Sequence, residues 1–278
     1  LGTADPAVIR AAQVIYTIYF AAAKKFPGKL SSTCVASHGW LYPKYDPNDW
    51  RTRGVSELRN SKNGEKNLLK ANYVVCRNRE LEQWAEAHGS NARYIPAGVD
   101  TDLFNTQGRV PNNGKLRIGW CGQARADFKG YTDIFLPLRE RLSSKYEFVS
   151  YTHTAKEALS PEHMAGWYKS LDVFLTTASA EGTPNPPFEA AACGCVILAT
   201  DVGQLTDWEI LRKSELLVPT FKNQTEAESV IDRMTHRLET LEDSLERKTL
   251  SELLAFSIER DYSYRTIAPQ TLKFISGG

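Results

Sequence analysis

The sequence of 278 residues has no apolar run long enough to cross a membrane as a helix. The longest run near its start, residues 14–23, is interrupted by polar and aromatic side chains and is shorter than the roughly 20 residues that a spanning helix needs. No pattern of a secretory signal is present either. We therefore expect a cytoplasmic protein without a transmembrane segment.

Charge of neither sign is in excess. Lysine and arginine number 34, and aspartate and glutamate number 33, which leaves a formal net charge of +1. Proteins that hold a nucleic acid through its backbone usually carry a clustered basic surface. The composition therefore gives no support for a nucleic acid as a partner, and a nucleic acid stays open only as the acceptor substrate of a modifying enzyme.

Cysteine is scarce, and its spacing does not fit a metal site. The five cysteines form an odd set without paired ligand spacing, and most of them fall in apolar stretches. Cys193 and Cys195 flank Gly194, but two thiols at one place are too few for a structural zinc. We expect free, buried thiols in a reducing compartment and no bound metal.

Short apolar segments alternate with helical patterns along the chain, which is typical of a parallel sheet flanked by helices. A first unit ends at the turn of residues 96–100, and a second begins after a polar linker at residues 105–114. Strands are predicted at residues 32–37, 73–76, 92–95, 116–121, 148–152, 173–176, 196–199 and 215–218. Helices are predicted at residues 5–26, 64–70, 80–88, 131–142 and 161–170, from about residue 187, and over residues 225–258 as one long helix or two.

Two glutamates, Glu181 and Glu189, lie eight positions apart around a proline-rich turn. Prolines suit the first turn of a helix, where the missing amide hydrogens have no intrahelical partner. A helix that begins near Pro187 would direct unpaired N–H groups and the positive end of its dipole toward residues 181–185. This arrangement favours an anionic ligand that carries hydroxyl groups.

Four stretches of the chain resemble glycosyltransferase family 4 in their order and spacing. They are AEGTPNPPFEAAACG at 180–194 followed by VILATDVG at 196–203, YIPAGVDTDLF at 94–104, IGWCG at 118–122 with KG at 129–130, and SHG at 37–39. The resemblance implies an α/β fold of the GT-B type, with two Rossmann-like domains that each contain a parallel sheet. It also implies a retaining, metal-independent enzyme that uses a nucleotide sugar.

The resemblance predicts how the chain is divided. An amino-terminal, acceptor-side domain is expected at residues 1–105 and a nucleotide-sugar-binding domain at 106–261, while residues 262–278 return to the first domain. Full-length relatives begin with roughly three further strands, so this domain is either naturally reduced or truncated. In a reduced protein, loop aromatics could form a substitute acceptor surface or pack on their own domain. These aromatics are Trp40, Tyr42, Tyr45 and Trp50.

Roles for individual residues follow from the same resemblance. The catalytic candidates are Glu181, expected at the donor sugar, and His38, expected to approach that sugar from the opposite domain. Glu189 is expected to accept hydrogen bonds from the ribose hydroxyls. Lys129 and then Arg125 are expected to stabilise the charge on the departing diphosphate. The other candidates for donor binding are Gly122, Gln123, Gly182, Thr183, Pro184, Asn185 and, near the base, His153.

The sequence thus predicts transfer of a hexosyl or pentosyl group from a UDP- or GDP-sugar to an acceptor hydroxyl, without a cofactor. A glycan, a lipid-linked sugar and modified phage DNA all stay open as acceptors. Two other classes of protein also stay open: a GT-B-like nucleotide-sugar epimerase and a noncatalytic nucleotide-sugar-binding subunit. Incubation with the donor alone would separate the epimerase from the transferase.

Overall fold

The computed structural model describes residues 46, 48–52, 72–110, 112, 114–152 and 159–275, together with strand backbone at residues 15–17 and 32–36. Within these residues the chain forms two parallel sheets with helices packed against them. This is the α/β architecture that the alternating sequence pattern predicts.

The first sheet contains four parallel strands in sequential order. They are β1 (Ile15–Thr17), β2 (Ser32–Ala36), β3 (Tyr73–Cys76) and β4 (Ala92–Tyr94). Helix α1 (Arg79–Ala87) connects β3 to β4 and starts where the Asn78 side chain accepts a hydrogen bond from the amide of Leu81. An asparagine at this position satisfies an amide that the helix itself leaves unpaired.

The prediction of one helix over residues 5–26 is wrong at β1. Its three residues are β-branched or aromatic, a composition that favours strands, and they pair in parallel with β2. The predicted helix at residues 64–70 lies outside the described residues.

The second sheet contains five parallel strands in the order β6-β5-β7-β8-β9. They are β5 (Arg117–Gly122), β6 (Glu147–Thr152), β7 (Val173–Thr176), β8 (Val196–Thr200) and β9 (Leu217–Val218). β7 and β8 are buried along their whole length, as expected for inner strands covered by helices on both faces. Their uninterrupted apolar sequence is the reason that they were recognisable as strands.

Helices connect and follow the strands of the second sheet. A π-turn at Tyr131–Phe135 leads into α2 (Leu136–Leu142), and the later helices of this unit are α3 (Pro161–Lys169), α4 (Asn185–Ala192), α5 (Glu209–Lys213), α6 (Gln224–Thr240) and α7 (Ser244–Ser257). The last described helix is α8 (Tyr264–Ile275). α2 packs with α6, whereas α4 packs with α3 and α7. Of the helices that the structure describes, none is both long and apolar enough to pass through a membrane.

The charged stretch that the sequence assigns to one helix or two forms two helices, α6 and α7. The break occurs at Asp243, whose carboxylate accepts hydrogen bonds from the amides of Leu245 and Glu246. An aspartate in this position caps a new helix amino terminus rather than continuing the old one.

The last helix, α8, packs against the first sheet. Its side chains Ile267, Phe274 and Ile275 form a small core with Val75 and Ile95 of the first unit. After the second sheet, the described chain therefore returns to the first sheet at α8. The exact domain boundaries stay a prediction.

The strand order of the second sheet reverses between β5 and β7. From β5 the chain goes to its neighbour β6 on one side, and it then crosses to β7 on the other side. In open parallel sheets, the loops at the carboxyl ends of two such strands diverge and leave a crevice that receives ligands. The fold thus places the candidate site at the loops that follow β5 and β7.

The structure describes the side chains of four of the five cysteines, and all four are free thiols. Cys76, Cys193 and Cys195 are buried, and burial raises the pKa of Cys121 and of Cys193 to about 12. Thiols with such a raised pKa are poor nucleophiles near neutral pH. Among the described residues, no three His, Cys, Asp or Glu side chains are arranged to hold a metal ion.

Any side chain at Gly130 would destabilise the second unit. It has a φ of +67°, and a Cβ atom there would collide with the carbonyl oxygen of Thr177 at the end of β7. Gly89 has a φ of +80° but nothing within 4 Å of such an atom, so it isolates the conformational cost alone.

We expect Gly89→Ala to lower the free energy of unfolding by about 1–2 kcal/mol through its left-handed backbone. Gly130→Ala should cost about 2–5 kcal/mol, because the clash with Thr177 adds to the same backbone term. Urea denaturation of both variants measures the difference. Equal losses would show that Gly130 is not packed as described.

Candidate functional site

Two loops meet at the reversal of strand order: residues 122–130 after β5 and residues 177–184 after β7. The amide of Ser179 donates to the carbonyl oxygen of Phe128 at 2.8 Å. The hydroxyl group of Thr177 donates to the carbonyl oxygen of Lys129 at 2.9 Å. Hydrogen bonds therefore join the two loops along their backbones.

Side-chain hydrogen bonds hold the loop after β7 in place. The indole N–H of Trp120 donates to the Thr177 hydroxyl at 2.9 Å. Thr200 donates to the carbonyl oxygen of Ala178 at 2.6 Å, and Thr220 donates to that of Ser179 at 2.7 Å. Because these groups satisfy carbonyls that have no sheet partner, the loop holds one shape without being part of a strand.

Lys129 and Glu181 form an ion pair between the two loops. Their side chains are 28% and 12% exposed, respectively, so water screens the pair only partly. Each charge offsets the other. An anion that enters this corner of the crevice must therefore compete with Glu181 for the ammonium group of Lys129.

Glu189 is in a different environment. It lies on α4, half-buried, and its carboxylate accepts a hydrogen bond of 3.1 Å from the hydroxyl group of Tyr168 on α3. That hydroxyl also lies 3.7 Å from the sulfur of Cys121 near the end of β5. Burial raises the pKa of Glu189, and the bond from Tyr168 partly opposes that rise. The two glutamates of the turn therefore differ in partner, because Glu181 pairs with a cation and Glu189 accepts from a hydroxyl group.

Helix α4 begins at Asn185, two residues before the predicted start near Pro187. Pro184 is the residue before the helix, and two further prolines occupy its first turn. Proline has no amide hydrogen, so this turn cannot present the set of N–H groups that the sequence analysis expected. Asn185, which is exposed, contributes the first amide of the helix. The helix dipole remains, but charge recognition depends mainly on side chains.

Gly203 and Gln204 support the loop from the far side, after β8. The φ of Gly203 is +55°, and a Cβ atom there would lie 2.6 Å from the carbonyl oxygens of Glu181 and Gly182. The amide of Gln204 donates to the carbonyl oxygen of Gly182 at 3.1 Å. The loop that carries Glu181 therefore rests directly on the backbone of the segment after β8.

The remaining predicted residues that the structure describes lie in the loops after β5 and β7, at the same crevice. Gly122 ends β5, and Gln123 and Arg125 are exposed in the loop that follows it. Within the described part of the chain, Arg125 has neither a hydrogen bond nor an ion pair, so its guanidinium is available to a ligand. Gly182 and Thr183 are half-buried and Pro184 is buried. His38 and His153 lie outside the described residues, although β6, which precedes His153, ends beside Gly122.

Trp50 is placed by the structure against the second unit. Its ring meets that of Phe221 edge-on with 6.0 Å between centroids, and its amide donates to the carbonyl oxygen of Lys222 at 2.9 Å. Its carbonyl oxygen accepts a hydrogen bond from the Ser179 hydroxyl at 3.0 Å. Packing on its own domain is therefore the wrong explanation for Trp50. Trp40, Tyr42 and Tyr45 lie outside the described residues.

Several residues that shape the site carried no sequence signal of their own. Tyr168 reaches Glu189 from a helix 21 positions earlier, and no motif marks it. Thr177 and Ser179 follow a strand directly, and that position at the carboxyl end of β7 was the one clue available. The roles proposed for the site residues stay predictions, and the structure shows a direct contact between Lys129 and Glu181.

The architecture and the position of the crevice define a class of protein, the GT-B fold. Residues 128–236, which include Lys129, Glu181 and Glu189, match the family model described as glycosyl transferases group 1. The match covers less than half of the chain. It supports a glycosyltransferase.

Solved structures agree with this fold. Sucrose-phosphate synthase from Thermosynechococcus elongatus is 16% identical, with a TM-score of 0.65 over 96% of this chain and 73% of that one. HepE from Anabaena in complex with UDP-glucose is 12% identical, with a TM-score of 0.65 over 98% of this chain and 81% of that one. Trehalose-6-phosphate synthase OtsA is 12% identical, with a TM-score of 0.67 over 96% of this chain and 73% of that one. No curated protein matches the sequence.

The raised pKa of Glu189 has a measurable effect on stability. The folded protein holds this carboxyl group protonated to a higher pH than the unfolded chain does, so the fold loses stability as the pH rises through that pKa. Glu189→Gln removes the charge and keeps an oxygen that can accept from Tyr168. We expect the variant to unfold a few degrees above the wild type at about pH 8.

The gain should shrink as the pH falls and vanish below the ordinary range of a glutamate pKa, where both proteins are neutral at this position. Thermal unfolding followed by circular dichroism across this pH range measures it. Glu140→Gln, at an exposed position of α2, serves as the control and should change nothing. A gain for Glu189→Gln that does not depend on pH would contradict the assignment to this carboxyl group.

Proposed function

We propose that the protein transfers a sugar from a nucleoside diphosphate sugar to an acceptor hydroxyl, with retention of configuration and without a metal ion. The observation that carries this proposal is the pairing of Lys129 with Glu181 where the strand order reverses, with Glu189 half-buried on α4, the helix that follows. A crevice at this position of a parallel sheet is suited to a nucleotide. A cation and two carboxylates with different partners suit its phosphates and hydroxyls.

The reaction breaks the bond between the anomeric carbon of the sugar and the oxygen of the diphosphate. The acceptor oxygen bonds to that carbon on the same face, and its proton passes to the departing phosphate oxygen. Negative charge develops on the diphosphate as the bond breaks, so cations placed there lower the barrier. Lys129 is the first such group, and Arg125, which has no partner in the described part of the chain, is the second.

Binding of the donor exchanges the partner of Lys129. The diphosphate takes over the ammonium group, which frees the carboxylate of Glu181 to accept hydrogen bonds from hydroxyl groups of the sugar. The half-buried position of both side chains strengthens the new contact, because water screens it less than at the surface. Glu181 then serves the reacting sugar, and Lys129 serves the leaving group.

Glu189 serves the nucleoside. As a carboxylate it accepts hydrogen bonds from neighbouring hydroxyl groups, and the two hydroxyls of a ribose offer a matching pair of donors. Tyr168 fixes one carboxylate oxygen by its bond of 3.1 Å and leaves the other for the ligand. The complex of HepE with UDP-glucose supports a UDP-sugar as the first donor to test, followed by a GDP-sugar.

Substitutions in the turn test this function. With a bound donor identified by calorimetry, Glu189→Ala should weaken its binding about tenfold, because one charge-assisted hydrogen bond to the ribose is lost. Glu181→Ala should reduce transfer at least about 100-fold, because its contact strengthens as the sugar reacts. Wild-type activity in both variants would refute the assignment.

Lys129→Ala tests the phosphate contact separately. We expect it to weaken the binding of the bare nucleoside diphosphate by about tenfold to 100-fold, since the lysine is expected to contact the phosphates rather than the sugar. Lys213→Ala is the matched control, because that lysine is exposed on α5 and pairs with Glu209 one helical turn away. Equal losses in the two variants would show a general effect of charge on binding.

Products distinguish the remaining classes. A transferase consumes donor and acceptor together, whereas an epimerase converts the donor alone into its epimer. A binding subunit retains the donor without turnover across a panel of acceptors. Chromatography of the sugar nucleotides, with and without acceptors, separates the three outcomes.

A further inference from the structure

Gln204 is a buried polar side chain that the proposed reaction does not use. It lies in the turn of Gly203–Asp207 after β8 and is fully buried. Burial of an amide is costly unless its hydrogen bonds are made, so its partners reveal what it holds. Its side chain extends away from the second sheet toward the segment that joins the two units.

The side chain of Gln204 is hydrogen-bonded to both the amide and the carbonyl group of one residue in that segment, Ala97. The amide of Ala97 donates to the side-chain oxygen of Gln204 at 2.8 Å, and the side-chain nitrogen of Gln204 donates to the carbonyl oxygen of Ala97 at 3.4 Å. The donor on the Ala97 backbone fixes which end of the side chain is the oxygen. A pair of bonds of this kind sets both distance and orientation.

The main chain of Gln204 grips the loop of the candidate site. Its amide donates to the carbonyl oxygen of Gly182, directly after Glu181, and the preceding Gly203 lets the two backbones approach. Gln204 thus contacts the loop that carries Glu181 with its backbone. With its side chain it contacts the segment of residues 95–104, which joins the two units and is called the interdomain segment below.

The first unit continues this series of contacts. The guanidinium group of Arg77, just after β3, donates to the carbonyl oxygens of Ile95 and Pro96 at 2.9 and 2.7 Å. Those residues immediately precede Ala97. Arg77, the backbone from Ile95 to Ala97 and Gln204 therefore form a continuous series of contacts. The series connects the carboxyl end of β3 to the loop that carries Glu181.

We propose that Gln204 is a positioning residue that couples the placement of the interdomain segment to the geometry of the loop at Glu181. When the segment is seated, the loop is held where Glu181 can meet the sugar of a donor; when it is not, that alignment is lost. Among the described residues, neither Glu189 nor Lys129 is hydrogen-bonded to Gln204 or to the interdomain segment, so we expect the effect to be confined to the sugar. This inference rests on the proposed function for its donor step, although the tie itself exists without a ligand.

Gln204→Met tests the coupling, because methionine nearly matches the volume of glutamine and forms none of its side-chain bonds. Asp207→Ala is the control. Asp207 lies in the same turn and also reaches the first unit, accepting from the amide of Arg79 at 2.8 Å, but it does not touch the loop at Glu181. Both variants remove one hydrogen-bonded link between the units. Only the link removed in Gln204→Met belongs to a residue that also bonds to Gly182, and that backbone bond is retained in the variant.

The first measurement needs no ligand. Hydrogen exchange of the Ala97 amide should become at least about tenfold faster in Gln204→Met and stay unchanged in Asp207→Ala, since the first loses its acceptor and the second keeps it. An unchanged Ala97 amide in Gln204→Met would overturn the inference, whatever the protein binds. This result is independent of the proposed function.

The second measurement compares UDP-glucose with UDP, or the corresponding GDP pair if the wild type prefers guanine. Gln204→Met should bind the nucleotide sugar about tenfold more weakly and the bare diphosphate within about twofold of the wild type, because only the sugar contact depends on the loop. Asp207→Ala should leave both affinities unchanged. Equal losses for both ligands, or equal losses in both variants, would overturn the coupling. Failure of the wild type to bind any nucleotide sugar would overturn the proposed function and the donor step of the coupling, while the exchange measurement would still report on the tie.

Discussion

The close approach of Gly130 to the carbonyl group of Thr177 is the contact on which the rest of the site depends. It brings the loop after β5 against the loop after β7, and a side chain at residue 130 would force them apart. Only with the loops in contact can Lys129 reach Glu181. The reversal of strand order opens the crevice, and this backbone contact determines which side chains border it. A ligand site made of two loops thus has the rigidity of the sheet beneath it.

Much of the fold could be predicted because its signals are local. The apolar runs of β7 and β8 and the turn residues between segments mark the second sheet, and the paired glutamates mark the crevice. The first sheet was harder to predict from the sequence, because β1 is three residues long and lies inside a stretch whose pattern is also compatible with a helix. Short apolar segments do not distinguish the two periods, so pairing with β2 decided the outcome.

Within the site, the sequence predicted residue types better than it predicted partners. Glu181 and Glu189 stood out in the chain, but their difference in environment depends on Lys129, 52 positions earlier, and on Tyr168, 21 positions earlier. Contacts of this kind come from the crossing of helices over a sheet, and no local pattern encodes them. Gln204 is a similar case, because the segment that it holds is 107 positions away. The sequence shows which side chains are available, whereas their contacts are known only from the tertiary structure.

The prolines around α4 have a consequence for the thermodynamics of binding. Pro184, Pro186 and Pro187 fix three φ angles within four residues, at the point where the loop enters the helix. A chain restrained in this way has little freedom to lose when a ligand arrives, and it had less to lose on folding. The prolines therefore remove amide hydrogens that could have donated to a phosphate, and they preorganise the turn. A ligand that binds there loses little affinity to the conformational entropy of the turn.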